Sequence, residues 1–433
     1  MSELESTIEE KLIKVLTTGV SQWNYRQDLK NENDLWNNIR EKLNASNANK
    51  LNGVLITDFE MEQIKEFIKT QAESPFKAGT WLSGENGLAQ IPLKREDAKL
   101  GSISLDAIDN RQIKGGNSSY EVINQYVAFR DDSKDRNRRF DVTLLINGFP
   151  MIHIELKNQD HSIDEAFNQI KKYSGEGKFR GLFGLVQMFV VSNGTDTKYI
   201  AAATHDKLNK KFLISWVDKD NHRVDDYLSF AQHALNIPCA HELVGKYSML
   251  DANTKSLLLL RPYQIHAIEA VKEASVHPDQ KMRSGFVWHT TGSGKTITSF
   301  NVTRNLLDIP SIDKAIFLVD RKDLDQQTTL SFKSYAESTG DQIFETENTK
   351  YLEKALKSKD RIVIVATRQK MDCLLEKCKK AIANGDESAY YYKTAMKIKE
   401  KNVAFVVDEC HRAISDQSKR IISEFFDTQF KKS

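Results

Sequence analysis

Two stretches, "HTTGSGKT" at residues 289–296 and "VAFVVDECH" at 403–411, hold side chains suited to a nucleoside triphosphate. The first follows the apolar "SGFVWH" and precedes the helical-looking "ITSFNVTRNLL". A strand, a glycine-containing turn and a helix N-terminus are therefore expected in that order. Gly292 and Gly294 let backbone N–H groups wrap an anion, and the helix dipole adds to the attraction. Within this loop, which also holds Thr291 and Ser293, Lys295 is expected to reach the β- and γ-phosphates. The Thr296 hydroxyl is expected to bind Mg²⁺. His289 stands where the general pattern has its first glycine. Asp408, at the end of an apolar strand, is expected to hold Mg²⁺ mostly through water. Glu409 is expected to polarise the attacking water as a general base. A surface strand could end in two acids by chance, but not usually in the same sheet as a phosphate loop. Together the two stretches point to a nucleoside triphosphatase.

A second set of reactive types lies upstream in "FDVTLLINGFPMIHIELKNQ", residues 140–159. Asn147-Gly148 between apolar runs signals a two-residue hairpin turn. Strand side chains alternate, so Ile152, Ile154 and Leu156 share one face while His153, Glu155 and Lys157 share the other. Asp141 opens the first strand, at the far end of the hairpin. A half-exposed sheet with a solvated charged face would carry the same pattern.

In the second half, "TGSGKT" with "DECH" resembles a superfamily 2 helicase or translocase. The resemblance implies that Gln264, in "LRPYQ", bonds the adenine edge. It implies that "VIVATRQKM" (363–371) contacts a nucleic-acid backbone, and that His411 couples nucleotide state to the DNA site. Two RecA-like lobes make such a motor. The motifs of the second, including an arginine finger, are expected beyond residue 433, so this chain is expected to bind nucleotide weakly and to lack efficient hydrolysis.

Beside such a motor, Asp141 with Glu155-Leu156-Lys157 resembles the D…ExK core of restriction-endonuclease-like nucleases. In those, two carboxylates share a Mg²⁺ and the lysine orients the attacking water or neutralises charge. Phe140 replaces the usual proline before the aspartate. Gln169 and Tyr173, one turn apart on a helix face, are similar to the Gln-x-x-x-Tyr motif of type I restriction enzyme motor subunits. "LESTIEEKL" resembles that family's opening helix, with Glu9 the candidate acid near the metal and Glu5 and Glu10 its competitors.

The resemblance implies an α/β chain: a restriction-endonuclease-like PD-(D/E)xK domain (1–240), a linker (241–258) and a parallel-sheet RecA-like lobe (259–433). It implies ATP and Mg²⁺ as cofactors and double-stranded DNA as substrate. The implied partners are methyltransferase and specificity subunits that recognise DNA. Two rivals remain at this point. One is another nuclease–helicase enzyme of DNA defence or repair, disfavoured by the Gln169–Tyr173 helix. The other is a DNA-tethering translocase module with a non-catalytic nuclease fold, disfavoured by intact Asp141, Glu155 and Lys157.

The elements that must position these residues are readable in outline. "DHSIDEAFNQIKKYSGE" reads as a helix with Ser162 as N-cap and Glu165 closing a capping box. "LFGLVQMFVVSNG" reads as a buried strand. "GFVWH", "KAIFLVD", "RIVIVA" and "VAFVVDE", separated by helical stretches, read as four strands of a parallel sheet. The chain has 433 residues, 28% charged and 40% hydrophobic, so two or three soluble domains are expected. A net charge of +2 restricts any nucleic-acid site to a local patch. Arg136, Arg138 and Arg139, just before Asp141, read as a solvated loop more readily than as a phosphate contact. Four scattered cysteines without metal-ligand spacing, and no membrane-length apolar run, fit a reducing cytoplasm.

Overall fold

The Asn147-Gly148 turn explains its own residue types. Asn147 (φ +52°) and Gly148 (φ +83°) both adopt left-handed backbone, as a two-residue turn matched to strand twist requires. A Cβ on Gly148 would stand 3.0 Å from Ile39 Cγ1, so the turn also needs a residue without one. The structure is a computed structural model that describes residues 4–19, 22–84, 87–111, 113–128, 138–290, 292–319, 334–335, 343–345, 348–408 and 416–426. By its contacts the chain divides into Met1–Tyr263 and Gln264–Ser433.

In the first unit, strands β1 (Asn24–Tyr25), β2 (Leu88–Lys94), β3 (Ser102–Asp109), β4 (Tyr120–Val127), β5 (Arg139–Ile146), β6 (Phe149–Leu156), β7 (Met188–Ser192), β8 (Thr197–Ala201) and β9 (Ile214–Ser215) follow the chain. Seven of them form one mixed sheet in the order β1-β4-β5-β6-β7-β8-β9, with β2 and β3 as a separate hairpin. The β4-β5 and β5-β6 pairs are antiparallel and β6-β7 is parallel. Strand β6 is buried along its whole length. It carries no solvated face, because the helix Ile163–Gly175 and the turn Gly181–Leu185 pack against it. Ser162 caps that helix, its side chain accepting from Asp164 N at 3.2 Å. The expected capping box does not close, since Glu165 bonds His161 instead.

Residues 241–258, expected as a linker, are structured. They hold most of the helix Cys239–Gly245 and the hairpin of β10 (Ser248–Asp251) and β11 (Ser256–Leu259), which packs on the helix Pro75–Ser83. Four-residue strands carry too few positions for a periodic signal.

In the second unit, β12 (Lys314–Val319), β13 (Ile343–Glu345), β14 (Ile362–Thr367) and β15 (Val403–Val407) form a parallel sheet in the order β13-β14-β12-β15. The segment 284–289, expected as a strand before the phosphate loop, joins no ladder among the described residues, and Phe286, Val287 and Trp288 are exposed. The fourth place in the sheet belongs to β13, at the edge away from β15. A core of Ile316, Leu318, Ile364, Met371, Leu374 and Ile422 packs this sheet against its helices.

Candidate active site

Ile8, Leu12 and Leu16 recur at helical spacing and are buried, fixing the helix Glu5–Thr17 against β1 and β6. That packing turns Glu5 and Glu9 toward the end of the β5-β6 hairpin. A cavity of about 230 Å³ is lined by Glu5, Ser6, Glu9, Gln125, Asp141 and Leu156. Glu9 is buried and accepts from the Asn124 amide and from Gln125 Nε2, the latter at 2.7 Å. Glu10 is exposed and does not line the cavity. Gln125 has φ +52°, and neither it nor Asp141 is paired in the ladder although the pairs on both sides keep register. Such backbone costs about 1–3 kcal/mol and persists where surroundings enforce it.

Asp141 Oδ2 accepts from Leu156 N at 2.8 Å, tying the start of β5 to the end of β6. Burial, and then the neighbouring Glu155 carboxylate, hold Asp141 well above the usual carboxylate range. Glu155 is fully buried, and burial pushes it up to about 8 against the pull of Lys157. Its Oε2 lies 3.2 Å from His153 Nε2, while its Oε1 has no hydrogen-bond partner among the described residues. Lys157 Nζ is 4.0 Å from Glu155 Oε1 and 3.7 Å from Glu5 Oε1. Burial lowers His153 to about 4, so its contact with Glu155 is a hydrogen bond of a neutral ring and not an ion pair.

A second cavity, of about 370 Å³, has Lys157, Arg138, Gln169, Lys172 and Tyr173 among its walls. Gln169 Nε2 donates to the Tyr173 hydroxyl at 2.8 Å, and burial with the nearby Glu155 pushes that phenol up to about 12. Arg138 is bound at both its Nε and Nη2 by Glu176, and its guanidinium lies 5.7 Å from the centre of the Tyr173 ring. Arg136 falls outside the described residues. Asp141 and Glu9 thus line the first cavity and Lys157, Gln169 and Tyr173 the second, while Glu155 is buried beside Asp141 and Lys157. Sequence reasoning gave Asn124 and Gln125 no role of their own. It placed His153 on the Glu155 face and gave it no role.

In the second unit, Gly292 (φ +77°) and Gly294 (φ +80°) turn the chain into the helix Lys295–Leu306. Ser293 Oγ bonds Thr290 O and His289 Nδ1, at 2.7 and 2.9 Å. Lys295 Nζ is 3.2 Å from Asp408 Oδ1, which brings the helix start and the end of β15 together. Thr296 follows in the first turn. Gln264 is buried and directs Nε2 to Thr298 Oγ1 at 3.2 Å and to Gly294 O at 3.4 Å, bracing the loop from the preceding helix. Thr291, Glu409 and His411 lie outside the described residues.

Comparison with known proteins bears on both units. Residues 2–207 match the family model described as Type I restriction enzyme R protein N terminus, and residues 257–431 match Type III restriction enzyme, res subunit. A type I restriction enzyme endonuclease subunit of Staphylococcus saprophyticus is 37% identical over 92% of this chain and 39% of its own length. One from Staphylococcus aureus is 35% identical over 93% of this chain and 39% of its own. A putative type I restriction enzyme endonuclease subunit, C-terminal part, of Mycoplasma pneumoniae is 34% identical over 49% of this chain and 99% of its own. The chain spans about two fifths of the staphylococcal relatives. Among the described residues no helix is long and apolar enough to cross a membrane. With a matching N-terminal family model and relatives that run through both units, the chain belongs to the family of type I restriction enzyme endonuclease subunits.

Proposed function

We propose that this chain carries the DNA-cutting site and an ATP-binding lobe of the restriction subunit of a type I restriction–modification complex. Its substrates are double-stranded DNA and ATP, its metal is Mg²⁺, and its partners are methyltransferase and specificity subunits that recognise the DNA. The observation that carries the reading is Glu155 Oε1, buried without a hydrogen-bond partner, with Asp141 and Lys157 as its charged neighbours. An uncompensated carboxylate oxygen is costly to bury unless a cation takes it, so the residues present fit a divalent ion.

Asp141 and Glu155 would hold that ion, with Glu9 on the wall of the cavity that Asp141 lines. When bound, Mg²⁺ lowers the pKa of water and neutralises charge on the scissile phosphate. Lys157 donates N–H bonds that orient the attacking water and then stabilise charge growing on the phosphate oxygens. Tyr173 stays a neutral phenol at physiological pH and, set by Gln169, can donate its O–H to the DNA backbone beside Lys157.

In the ATP-binding lobe, backbone N–H groups at Thr291, Gly292, Ser293 and Gly294 cradle the phosphates and Lys295 reaches the terminal pair. Thr296 and Asp408 would hold a second Mg²⁺ between them. Glu409 takes the proton from the attacking water, and Gln264 reads the adenine edge. Hydrolysis moves DNA, and cutting follows when movement stalls.

Asp141→Asn and Lys157→Ala in the full-length subunit, assembled with its partners, test the nuclease half. Both should cut supercoiled plasmid at least about 100-fold more slowly while still displacing a triplex-forming oligonucleotide. Wild-type cutting by both variants would contradict the reading.

A further inference from the structure

His153 is fully buried on the face of β6 that carries Glu155, and the proposed chemistry leaves it without a task. It stands directly opposite Thr143 in the β5-β6 register. One ring nitrogen, Nδ1, lies 3.3 Å from Thr143 Oγ1, and the other, Nε2, lies 3.2 Å from Glu155 Oε2. Phe140, Phe179 and Phe189 pack the ring, with centroids 4.7, 5.4 and 6.3 Å away. The imidazole is thus packed by tilted and edge-on aromatic rings and bonded at both nitrogens.

The consequence falls on the two oxygens of Glu155. Oε2 is occupied by the ring, and Oε1 is left without a hydrogen-bond partner among the described residues. Whichever of the pair carries the shared proton, His153 keeps Oε2 fixed. A ring N–H can donate to a carboxylate, and a carboxylic acid can donate to a ring nitrogen.

Resting on the reading of Asp141 and Glu155 as cation ligands, we propose that His153, backed by Thr143, is a positioning residue that holds Glu155 by Oε2 and presents Oε1 to the divalent ion. Hydrogen-bonding partners behind metal ligands commonly contribute about 10–100-fold to metal affinity. A buried polar contact kept for packing alone would contribute to stability and leave metal affinity unchanged.

The test measures Mn²⁺ affinity of the full chain by calorimetry without nucleotide, together with thermal unfolding. Glu155→Ala defines the Glu155-dependent site. His153→Leu, which keeps the volume apolar, should weaken that site by about 10–100-fold. His153→Gln, whose carboxamide can donate to or accept from Glu155, should stay within about threefold of wild type, and Thr143→Val should fall between the two. Wild-type affinity in His153→Leu, or in Thr143→Val should the leucine variant not fold, would overturn the proposal while leaving the metal site of Glu155 standing. Unchanged affinity in Glu155→Ala would instead overturn the metal-site reading, and this proposal with it.

Discussion

Glu155 is the residue in which position and chemistry are most at odds. Burial pushes its pKa from an ordinary 4.5 up to about 8. Between those values the folded chain keeps a proton that the unfolded chain releases, so stability falls as pH rises through that window and stays low above it. Glu155→Gln removes the ionisable group and its cost. At pH 8.5 it should raise the melting temperature by about 2–4 °C for each kcal/mol relieved, and below pH 4.5 it should change little. Added Mg²⁺ should stabilise the wild type at pH 8.5 and leave the variant unmoved. A variant that melts lower than wild type at pH 8.5 would refute the assignment of an uncompensated buried carboxyl. The identities of Glu155 and Lys157 were legible because a strand's alternation places them on one face. Burial of His153 was not, because the aromatic rings that enclose it include Phe179 and Phe189, which come from beyond the hairpin.

Elements differ in how much of them is local. The hairpin was readable because its turn depends on two adjacent residues whose left-handed backbone the sequence specifies. Gly148→Ala should cost about 1–2 kcal/mol, with an added clash against Ile39. Four of the five tryptophans (Trp23, Trp36, Trp81 and Trp216) lie in Met1–Tyr263. Urea unfolding followed by tryptophan fluorescence should therefore show a lower midpoint with an unchanged slope, and an unchanged midpoint would count against the turn geometry. "GFVWH" shows the opposite limit. An apolar run predicts extended backbone, but ladder partners are tertiary facts, and residues 284–289 have none among the described residues. The helix caps divide the same way. Ser162 caps from its own sequence, whereas Glu165 had two local partners to choose from and took His161.

At the scale of the molecule, the carboxylate cavity belongs to Met1–Tyr263, and Lys295 with Asp408 belongs to Gln264–Ser433. A division into two units was expected, with a linker over 241–258 between them. Its position differs, since the β10-β11 hairpin extends the first unit past the expected boundary. Two sites in separate units make the proposed function separable by mutation: under it, cutting needs the motor, and the motor does not need the cutting site. The direct measurement is plasmid cleavage and phosphate release, followed together in the full-length subunit assembled with its partners. Glu155→Ala should abolish cleavage and keep phosphate release near wild type, and Lys295→Ala should abolish both. Full cleavage by Glu155→Ala, or cleavage without phosphate release by Lys295→Ala, would contradict the account.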